Sequence, residues 1–483
     1  MPYKNNSFDT QVKHRHLQKT KKISYQRSLK KTNLRQSTLL PLSFALASCG
    51  ASTTGISHAS QGSTIATVAN TASAPGISPT TILVGSHQPL TGTSAPGYSE
   101  IAPAAKAFFD YLNTHGGVYG RSIIFKYLDD ASSPSKTLQV VQKLVTQDNV
   151  FAILGGFGNT THSTVVQYLN QNKVPDIFVG SGCDCWNNST NLPYTFGFAP
   201  DYIIEGKVIG TFLQANFANK KVGVLYQSGP LGTQGLQGLK QVLPSSSLVS
   251  EVPYTTIASS SGLTAQITSL QSAGAQSVVL FTSPQATAAA EVAMHNLGYS
   301  PTVISSSQGS DPLVVSSLMT SSATSPGTSS GTSPGTSSGT TSPLAGLYIE
   351  NYLPLASDIT DPWIELYKTI HDRYDASNPF DQFTVLGMSL AYYFSQALQD
   401  AGQNPTRTSL VSTIDTFGSQ LTGPGIVPLG YSQTQHLGFM GEQIAQINSD
   451  GLAYQASPIY TSTLNGPVRT QASTEAGVPP NLN

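Results

Sequence analysis

Small polar side chains follow two short apolar runs in the middle of the chain, a pattern that suits the binding of a polar or anionic group. A glycine-containing turn with Asn159, Thr160 and Thr161 follows the first run, and Ser181 follows the second. Hydroxyl and amide groups beside backbone N–H groups at the start of a helix are neutral donors, which suit a carboxylate or another anionic head. Each residue is equally well explained as an ordinary turn residue, but two such turns together are better evidence than either alone.

The two turns belong to a predicted strand–helix–strand unit over residues 151–186. The runs 151–154 and 177–179 predict strands, and Val165 and Leu169 lie on one side of a short helix between them. Parallel strands that are joined in this way end at the same edge of a sheet. Ligands of open α/β sheets bind at that edge. The sequence therefore predicts that both turns contribute to one ligand site.

Two cysteines, Cys183 and Cys185, lie in the second turn, and Trp186 follows them. A CxC pair lacks the further ligands that zinc needs. Outside the cytoplasm two such thiols tend to oxidise, so a strained disulfide and a pair of free thiols both stay open. Trp186 is explained equally by core packing and by a platform that closes over the ligand. Because the sequence also has no HExxH motif and no GxSxG elbow at a predicted strand-to-helix turn, it predicts no metal, no cofactor and no catalytic site.

The N-terminal segment is typical of a targeting signal. Residues 1–48 hold ten Lys and Arg against one acidic residue, and the short apolar run 38–47 is too short to span a bilayer. The run ends in Leu46-Ala47-Ser48-Cys49-Gly50, which matches the box of bacterial lipoproteins, where the Cys is lipidated. We therefore predict a signal peptide over 1–48, lipidation of Cys49 and, from its Ser, Thr, Ala and Gly content, a flexible tether over 49–79.

The rest of the chain is acidic and sparsely charged. Without residues 1–48 it has 14 basic and 24 acidic residues, a net charge of −10, which argues against nucleic acid as a partner. Charged residues make up 10% of the 483 residues, against roughly 25% in average soluble domains. No other apolar run approaches the roughly 18 residues of a membrane span.

Two successive series of alternating strands and helices follow the tether, and each series can form its own parallel sheet, which predicts two α/β lobes. Residues 321–343 interrupt the second series. They contain SPGTSSGT twice in tandem, at 325–332 and 333–340, and this composition predicts a disordered surface insertion. The tail, residues 466–483, is expected to be unstructured.

Several motifs, in their order and spacing, resemble the leucine/isoleucine/valine-binding group of type I periplasmic binding proteins over roughly residues 80–465. These are Pro89-Leu90-Thr91-Gly92, Asn113 with Gly116 to Arg121, Asp129-Asp130, Leu154-Gly155-Gly156, Pro193 to Phe198, and Gly223 to Tyr226. The resemblance implies two Rossmann-like lobes that are joined by a three-segment hinge and close on a small ligand. It assigns the segments 80–198 and 353–424 to the first lobe, and 199–352 and 425–465 to the second.

The resemblance also implies a function. It predicts a lipid-anchored, extracytoplasmic receptor of an ABC importer, which is not an enzyme and whose partners are a small ligand, the permease subunits and the membrane. One alternative is a sensor of the same fold that reports its ligand to another protein. A secreted hydrolase is a further alternative, for which the sequence shows no nucleophile with its base.

Mapping the family's site onto this sequence gives a set of expected ligand-binding residues, which are Asn159, Thr160, Thr161, Ser181, Gly182, Cys183, Trp186, Phe281, Ser283 and Ser307. The family's amino-acid binders have aromatic residues near positions 231 and 283 and an acid near 307, whereas this chain has Leu231, Ser283 and Ser307. Without that acid, an ammonium group would be buried unpaired at a large cost. The ligand is therefore expected to be a carboxylate or an amide, with a branched-chain amino acid as one case.

Overall fold

The computed structural model describes residues 69–255, 262–323, 341–474 and 476–480. The strands of this part of the chain are β1 Thr81–Gln88, β2 Ser122–Asp129, β3 Ala152–Leu154, β4 Asp176–Val179, β5 Thr195–Gly197, β6 Val222–Gln227, β7 Leu248–Tyr254, β8 Ser277–Phe281, β9 Thr302–Ser305, β10 Tyr348–Asn351, β11 Gly441–Ile447, β12 Ala453–Thr461 and β13 Arg469–Gln471. The α-helices are α1 Ile101–Thr114, α2 Pro134–Thr146, α3 Asn159–Ser163, α4 Val166–Gln171, α5 Tyr202–Phe217, α6 Pro230–Val242, α7 Thr264–Ser272, α8 Pro284–Asn296, α9 Pro312–Ala323, α10 Pro362–Tyr374, α11 Gln382–Asp400 and α12 Arg407–Phe417.

The first lobe is built on a five-stranded parallel sheet in the order β2-β1-β3-β4-β5. Successive residues of a strand point to opposite faces. Ile153 packs with Val141 of α2 and Leu169 near the middle of α4. Its neighbours Ala152 and Leu154 belong instead to the large aromatic-rich core that contains α1, α10, α11 and α12. Helices cover both faces, which explains why these strands read as continuous apolar runs.

The second lobe is built on an eight-stranded sheet in the order β13-β12-β11-β10-β9-β8-β6-β7. Strands β6 to β10 pair in parallel, and β11, β12 and β13 extend the sheet as antiparallel strands. Val279 and Phe281 face a core with α5 and α6. Val278 and Leu280 face the opposite core with α7 and α8. The predicted two-lobed α/β fold with parallel sheets is therefore confirmed.

The chain passes between the two sheets three times. It leaves the first sheet after β5 and enters α5, returns from β10 to α10, and crosses again between α12 and β11. These crossings correspond to the three-segment hinge that the resemblance implies. The residue-level boundaries of the lobes stay a prediction.

Three expectations about irregular segments need correction. The end of the predicted tether is ordered, because Ile77 is 5% exposed and the buried Arg121 donates hydrogen bonds to Asn70 Oδ1 and to the Thr71 carbonyl, both at 3.0 Å. The tail contains β13, which pairs with β12. Residues 321–323, assigned to the insertion, form the end of α9.

Other expectations lie outside the described residues. These are the signal peptide with Cys49, the tether up to residue 68, and the tandem repeat, since residues 324–340 are not described. Among the residues that are described, no helix combines the length and the apolar character that crossing a membrane requires.

Candidate functional site

A cavity of about 520 Å³ lies between the two lobes. On the first-lobe side it is lined by the loop after β1, by Tyr98 and by residues 157–161 at the start of α3. On the second-lobe side the wall is formed by residues 227–231 after β6, by the end of β7, and by Ser283 after β8. Both walls are thus built from segments at the carboxyl ends of parallel strands, as expected for ligand sites of open α/β sheets.

Residues of α3 form the first-lobe wall at the point where β3 ends. Gly158, with φ of 100°, precedes this helix and turns the chain into it. Thr160 is exposed at the cavity, whereas the hydroxyl group of Thr161 donates to the carbonyl of Phe157 at 2.9 Å. The first N–H groups of a helix have no intrahelical acceptor. The wall therefore offers neutral donors, with the Thr160 hydroxyl the most open of them.

Behind this wall lies a buried chain of four ionisable side chains. His87 Nδ1 lies 2.8 Å from Asp130 Oδ2, His87 Nε2 lies 2.9 Å from His162 Nδ1, and His162 Nε2 lies 2.8 Å from Asp176 Oδ2. All four residues are at most 1% exposed. The four groups form one continuous hydrogen-bonded chain, which fixes α3 to β1, β4 and the loop after β2.

The hydrogen bonds of these His and Asp side chains also determine which charged group the cavity can present to a ligand. Asp130 is the only Asp, Glu, Lys, Arg or His among the described residues that line the cavity. Its carboxylate already accepts from His87, from the Ser132 backbone N–H at 2.8 Å and from Thr137 at 3.1 Å. Asp130 is 1% exposed, so it has little left for a ligand cation.

The second-lobe wall is neutral and aromatic. Burial raises the pKa of both Tyr202 and Tyr254 to about 12, so their hydroxyl groups stay protonated at neutral pH. Tyr254 Oη accepts a hydrogen bond from the Ser283 backbone N–H at 3.2 Å. Tyr202 donates across to Asn159 Oδ1 at 3.4 Å. This wall therefore provides polar but uncharged contacts around an aromatic surface.

Further hydrogen bonds connect the lobes across the cleft. The hydroxyl group of Tyr98 donates to the Gln308 carbonyl at 3.0 Å, and Gln285 Nε2 donates to the Thr93 carbonyl. Each bond joins a first-lobe loop to a second-lobe segment. The lobes therefore stand close enough together to enclose a small molecule.

The structure brings together some of the residues that the sequence predicts for the site. Asn159, Thr160, Thr161 and Ser283 line the cavity. Ser181 lies behind them, 1% exposed, and donates to Asn159 Oδ1. The role of these residues in binding a ligand stays a prediction.

The other predicted residues do not line the cavity. Gly182 is buried, and a side chain there would collide with the Pro200 carbonyl. Phe281 is 0% exposed in the second-lobe core. Ser307 donates through its hydroxyl group to Glu205 Oε1 at 2.6 Å.

The Cys183–Cys185 turn lies beside the site. The two cysteines form a disulfide, with Cα atoms 5.1 Å apart, which decides between the two alternatives for these thiols. Trp186 is 2% exposed and packs edge-on against His162 with ring centroids 5.0 Å apart. Core packing is therefore the better interpretation of Trp186 in this structure.

Sequence reasoning did not find several residues of the cavity wall. Tyr98, Tyr202 and Tyr254 all line it. These three residues come from elements far apart in the sequence, so no local pattern marks them. The loop after β1 carries the family motif that begins at Pro89, and that motif was the available signal.

Comparisons with known proteins agree with this geometry. A family model described as periplasmic binding protein matches residues 81–452. The chain is 25% identical over 199 residues to the Leu/Ile/Val-binding protein homolog 3 of Brucella melitensis, which is 41% of this chain and 53% of that protein. It is 30% identical over 155 residues to the Leu/Ile/Val-binding protein homolog 2 of Brucella abortus, which is 32% of this chain and 41% of that protein. The chain thus spans about half the length of the curated relatives it matches.

Two solved structures share the fold. The fatty acid ABC transporter substrate-binding protein from Thermomonospora curvata has a TM-score of 0.68 at 20% identity, with 82% of this chain and 97% of that chain covered. A branched chain amino acid ABC transporter protein from Thermus thermophilus with bound valine has a TM-score of 0.65 at 15% identity, with 80% and 97% covered. At these identities the similarity is one of fold.

Proposed function

We propose that this chain, which belongs to the periplasmic binding protein family, is the extracytoplasmic substrate-binding protein of an ABC importer and captures a small ligand between its lobes. The family match covers residues 81–452, so the resemblance drawn from the sequence motifs is confirmed at the level of the family. That family consists of binding proteins and not of enzymes. The importer, its permease subunits and the ligand belong to the proposal.

The observation that carries the proposal is the cavity between the lobes, with polar groups on both walls. Its volume of about 520 Å³ is in the range of small-molecule sites, roughly 300–1,000 Å³. Hydrogen bonds across the cleft, such as that from Tyr98 to the Gln308 carbonyl, are compatible with closure on a bound ligand. Two-lobed proteins commonly enclose a ligand by closing about a hinge.

The charge of the lining residues favours a ligand with a carboxylate or an amide and without an ammonium group. Asp130, the one charged residue that lines the cavity in the described part of the chain, is already hydrogen-bonded to His87, Ser132 and Thr137. An ammonium group would lack an anionic partner, whereas a carboxylate could accept from Thr160 and from backbone N–H groups. Fatty acids and branched-chain amino acids, which the names of the two structural relatives mention, share a carboxylate.

Differential scanning fluorimetry of the full-length chain tests this function. The panel contains aliphatic and aromatic carboxylates, the matching amides and the matching amino acids. A ligand at a hundredfold excess over its Kd stabilises the folded protein by about 2.7 kcal/mol. We expect a rise in Tm for one size class of carboxylates or amides. A panel in which only amino acids raise the Tm contradicts the proposed ligand class.

Membrane attachment through Cys49 is the second part of the proposal, and it is supported by the lipoprotein box Leu46–Gly50. We expect wild-type protein in the membrane fraction and Cys49→Ala in the soluble fraction, because the lipid is attached through the thiol of this cysteine. A matched control is Ser48→Ala, which keeps the cysteine and a small residue before it. Cell fractionation followed by immunoblotting measures both, and Cys49→Ala that stays in the membrane pellet contradicts the lipid anchor.

A further inference from the structure

Three glutamates from distant parts of the sequence meet in the second lobe. Glu205 lies in the first turn of α5, Glu350 lies near the end of β10, and Glu442 is the second residue of β11. Each offers a carboxyl oxygen, and these oxygens all lie within 4.8 Å of one another. The sequence predicted no metal site, because nothing local relates these three positions. Each of them lies within a few residues of one of the three chain crossings between the lobes.

The carboxyl groups of this cluster are buried and almost entirely without partners. Glu205, Glu350 and Glu442 are 0%, 2% and 0% exposed. Glu205 Oε1 accepts from the backbone N–H of Ser307 at 3.0 Å and from its hydroxyl group at 2.6 Å. Glu205 Oε2 and both oxygens of Glu350 and of Glu442 have no hydrogen-bond partner among the described residues. Buried polar atoms are rarely left unpaired, so five such oxygens in one place indicate a missing ligand.

The described part of the chain also provides no counter-charge. None of the ion pairs formed by its Lys, Arg and His side chains includes Glu205, Glu350 or Glu442. Lys207, two residues after Glu205 in α5, donates instead to the backbone carbonyl of Thr463 at 2.6 Å. Three buried carboxylates without a cation are therefore costly.

We propose that Glu205, Glu350 and Glu442 bind one divalent cation and that calcium is the preferred ion. Carboxylate oxygens are the ligands of hard cations such as calcium and magnesium. Calcium accepts flexible coordination geometries, whereas magnesium demands a near-ideal octahedron and usually keeps several waters. The three carboxyl groups are at most 2% exposed, which leaves little room for such waters, so the site suits calcium better.

A cation at this position has a structural consequence that goes beyond ligand capture in the cleft. It links α5, β10 and β11, and these are the second-lobe elements through which the chain enters, leaves and re-enters that lobe. The ion would hold the three segments in a fixed arrangement at the base of the hinge. It would also neutralise two of three buried negative charges.

Calcium binding to the full-length chain tests the proposal. The protein is stripped with EDTA, dialysed against calcium chloride and analysed for bound metal, and we expect one calcium per chain. A hundredfold excess of calcium over its Kd should raise the Tm by about 3 °C. Glu350→Gln and Glu442→Gln keep the size of each side chain and remove its charge, and we expect either variant to lose that rise. Glu291→Gln, in which a partly buried carboxyl group outside the cluster is changed in the same way, should keep it.

Three results would overturn the proposal or its choice of ion. Wild-type protein without bound calcium and without a calcium-dependent Tm means that the carboxyl groups share protons instead, and this measurement does not depend on whether any variant folds. An unchanged Tm rise in the double variant Glu350→Gln/Glu442→Gln means that calcium binds elsewhere. A larger rise with magnesium chloride than with calcium chloride rejects the preference for calcium.

Discussion

The two lobes bury carboxyl groups in contrasting surroundings. In the first lobe, Asp130 and Asp176 each lie 2.8 Å from a histidine nitrogen, and the two histidines contact each other. In the second lobe, Glu350 and Glu442 have no partner for any carboxyl oxygen among the described residues. Both clusters are nearly inaccessible to water, so the difference lies in what the chain provides as a partner and not in burial.

This contrast indicates two different uses of buried charge. Where the chain supplies the partners, a polar cluster can fix the position of neighbouring elements, and the His–Asp chain holds α3 behind the wall of the cleft. Where the chain leaves the oxygens open, the cluster depends on something outside the chain for its neutrality. The first lobe should therefore be sensitive to mutation of the cluster itself, and the second to the ions in the buffer.

The largest effect is expected from His162→Ala, because it removes the central contact of the first-lobe cluster. Asp176 would lose its histidine partner while remaining buried, and breaking a buried charged pair typically costs about 3–5 kcal/mol. Urea unfolding at pH 7.5 measures the change. The control is His295→Ala, on an exposed part of α8, with an expected change within about 0.5 kcal/mol. A loss below about 1 kcal/mol for His162→Ala would mean that the cluster does not hold the fold.

Thr160→Val tests the ligand-facing side of α3 independently of its buried side. Thr160 is exposed at the cavity, so the variant should fold with wild-type stability. If its hydroxyl group donates to a ligand carboxylate, affinity should fall by about 1.5–3 kcal/mol, roughly tenfold to a hundredfold in Kd. Calorimetric titration with the carboxylate that gives the largest Tm rise measures this.

Thr146→Val is the matched control for that titration, since Thr146 is an exposed threonine at the end of α2 and does not line the cavity. Its Kd should equal that of the wild type. An equal Kd for Thr160→Val as well would remove Thr160 from the ligand site.

His87 should contribute to the pH dependence of stability, and this effect is expected to be smaller than those of the substitutions above. Burial lowers the pKa of His87 below its ordinary value of 6.5, although its hydrogen bond with Asp130 acts in the opposite direction. Below about pH 6.5 the unfolded chain binds a proton at His87 and the folded chain does not. The contribution of neutral His87 to the free energy of unfolding is therefore complete above that pH and is lost as the pH falls. The slope is at most about 1.4 kcal/mol per pH unit. The free energy of unfolding of His87→Asn should depend less steeply on pH between pH 7 and pH 5 than that of the wild type. Identical slopes for the two proteins would contradict this role of His87.

Much of the fold could be predicted from the sequence because its strands and amphipathic helices leave local signals. The run 151–154, the helix start at Pro134 and the strand from Val222 all follow from periodicity and turn residues. Helix α5, residues 202–217, was not found, because it is buried on nearly all sides and so lacks a polar face. Strand β13 was missed since three residues that pair only with β12 carry no pattern of their own.

The candidate site was predictable in part, for a comparable reason. The turn with Asn159 to Thr161 was found because a strand, glycines and small polar residues lie together in the sequence. The buried His–Asp chain joins β1, β4 and α3. The cluster of three glutamates joins the segments at the three chain crossings between the lobes, so both clusters depend on how distant segments assemble. Phe281 and Ser307 were misplaced because the family mapping gives a position in the sequence and not the direction of a side chain.

The central claim is that the cleft accepts a carboxylate or an amide and has no partner for an ammonium group. Isothermal titration of the full-length chain with matched pairs tests this most directly, because 4-methylpentanoate and leucine, or 3-methylbutanoate and valine, differ only in the 2-amino group. An unpaired buried polar group costs about 1–3 kcal/mol or more, so within each pair that binds, the plain acid should bind roughly tenfold more tightly or better. Tighter binding of leucine or valine than of its plain acid would show that the ammonium group finds a partner, and it would contradict the claim.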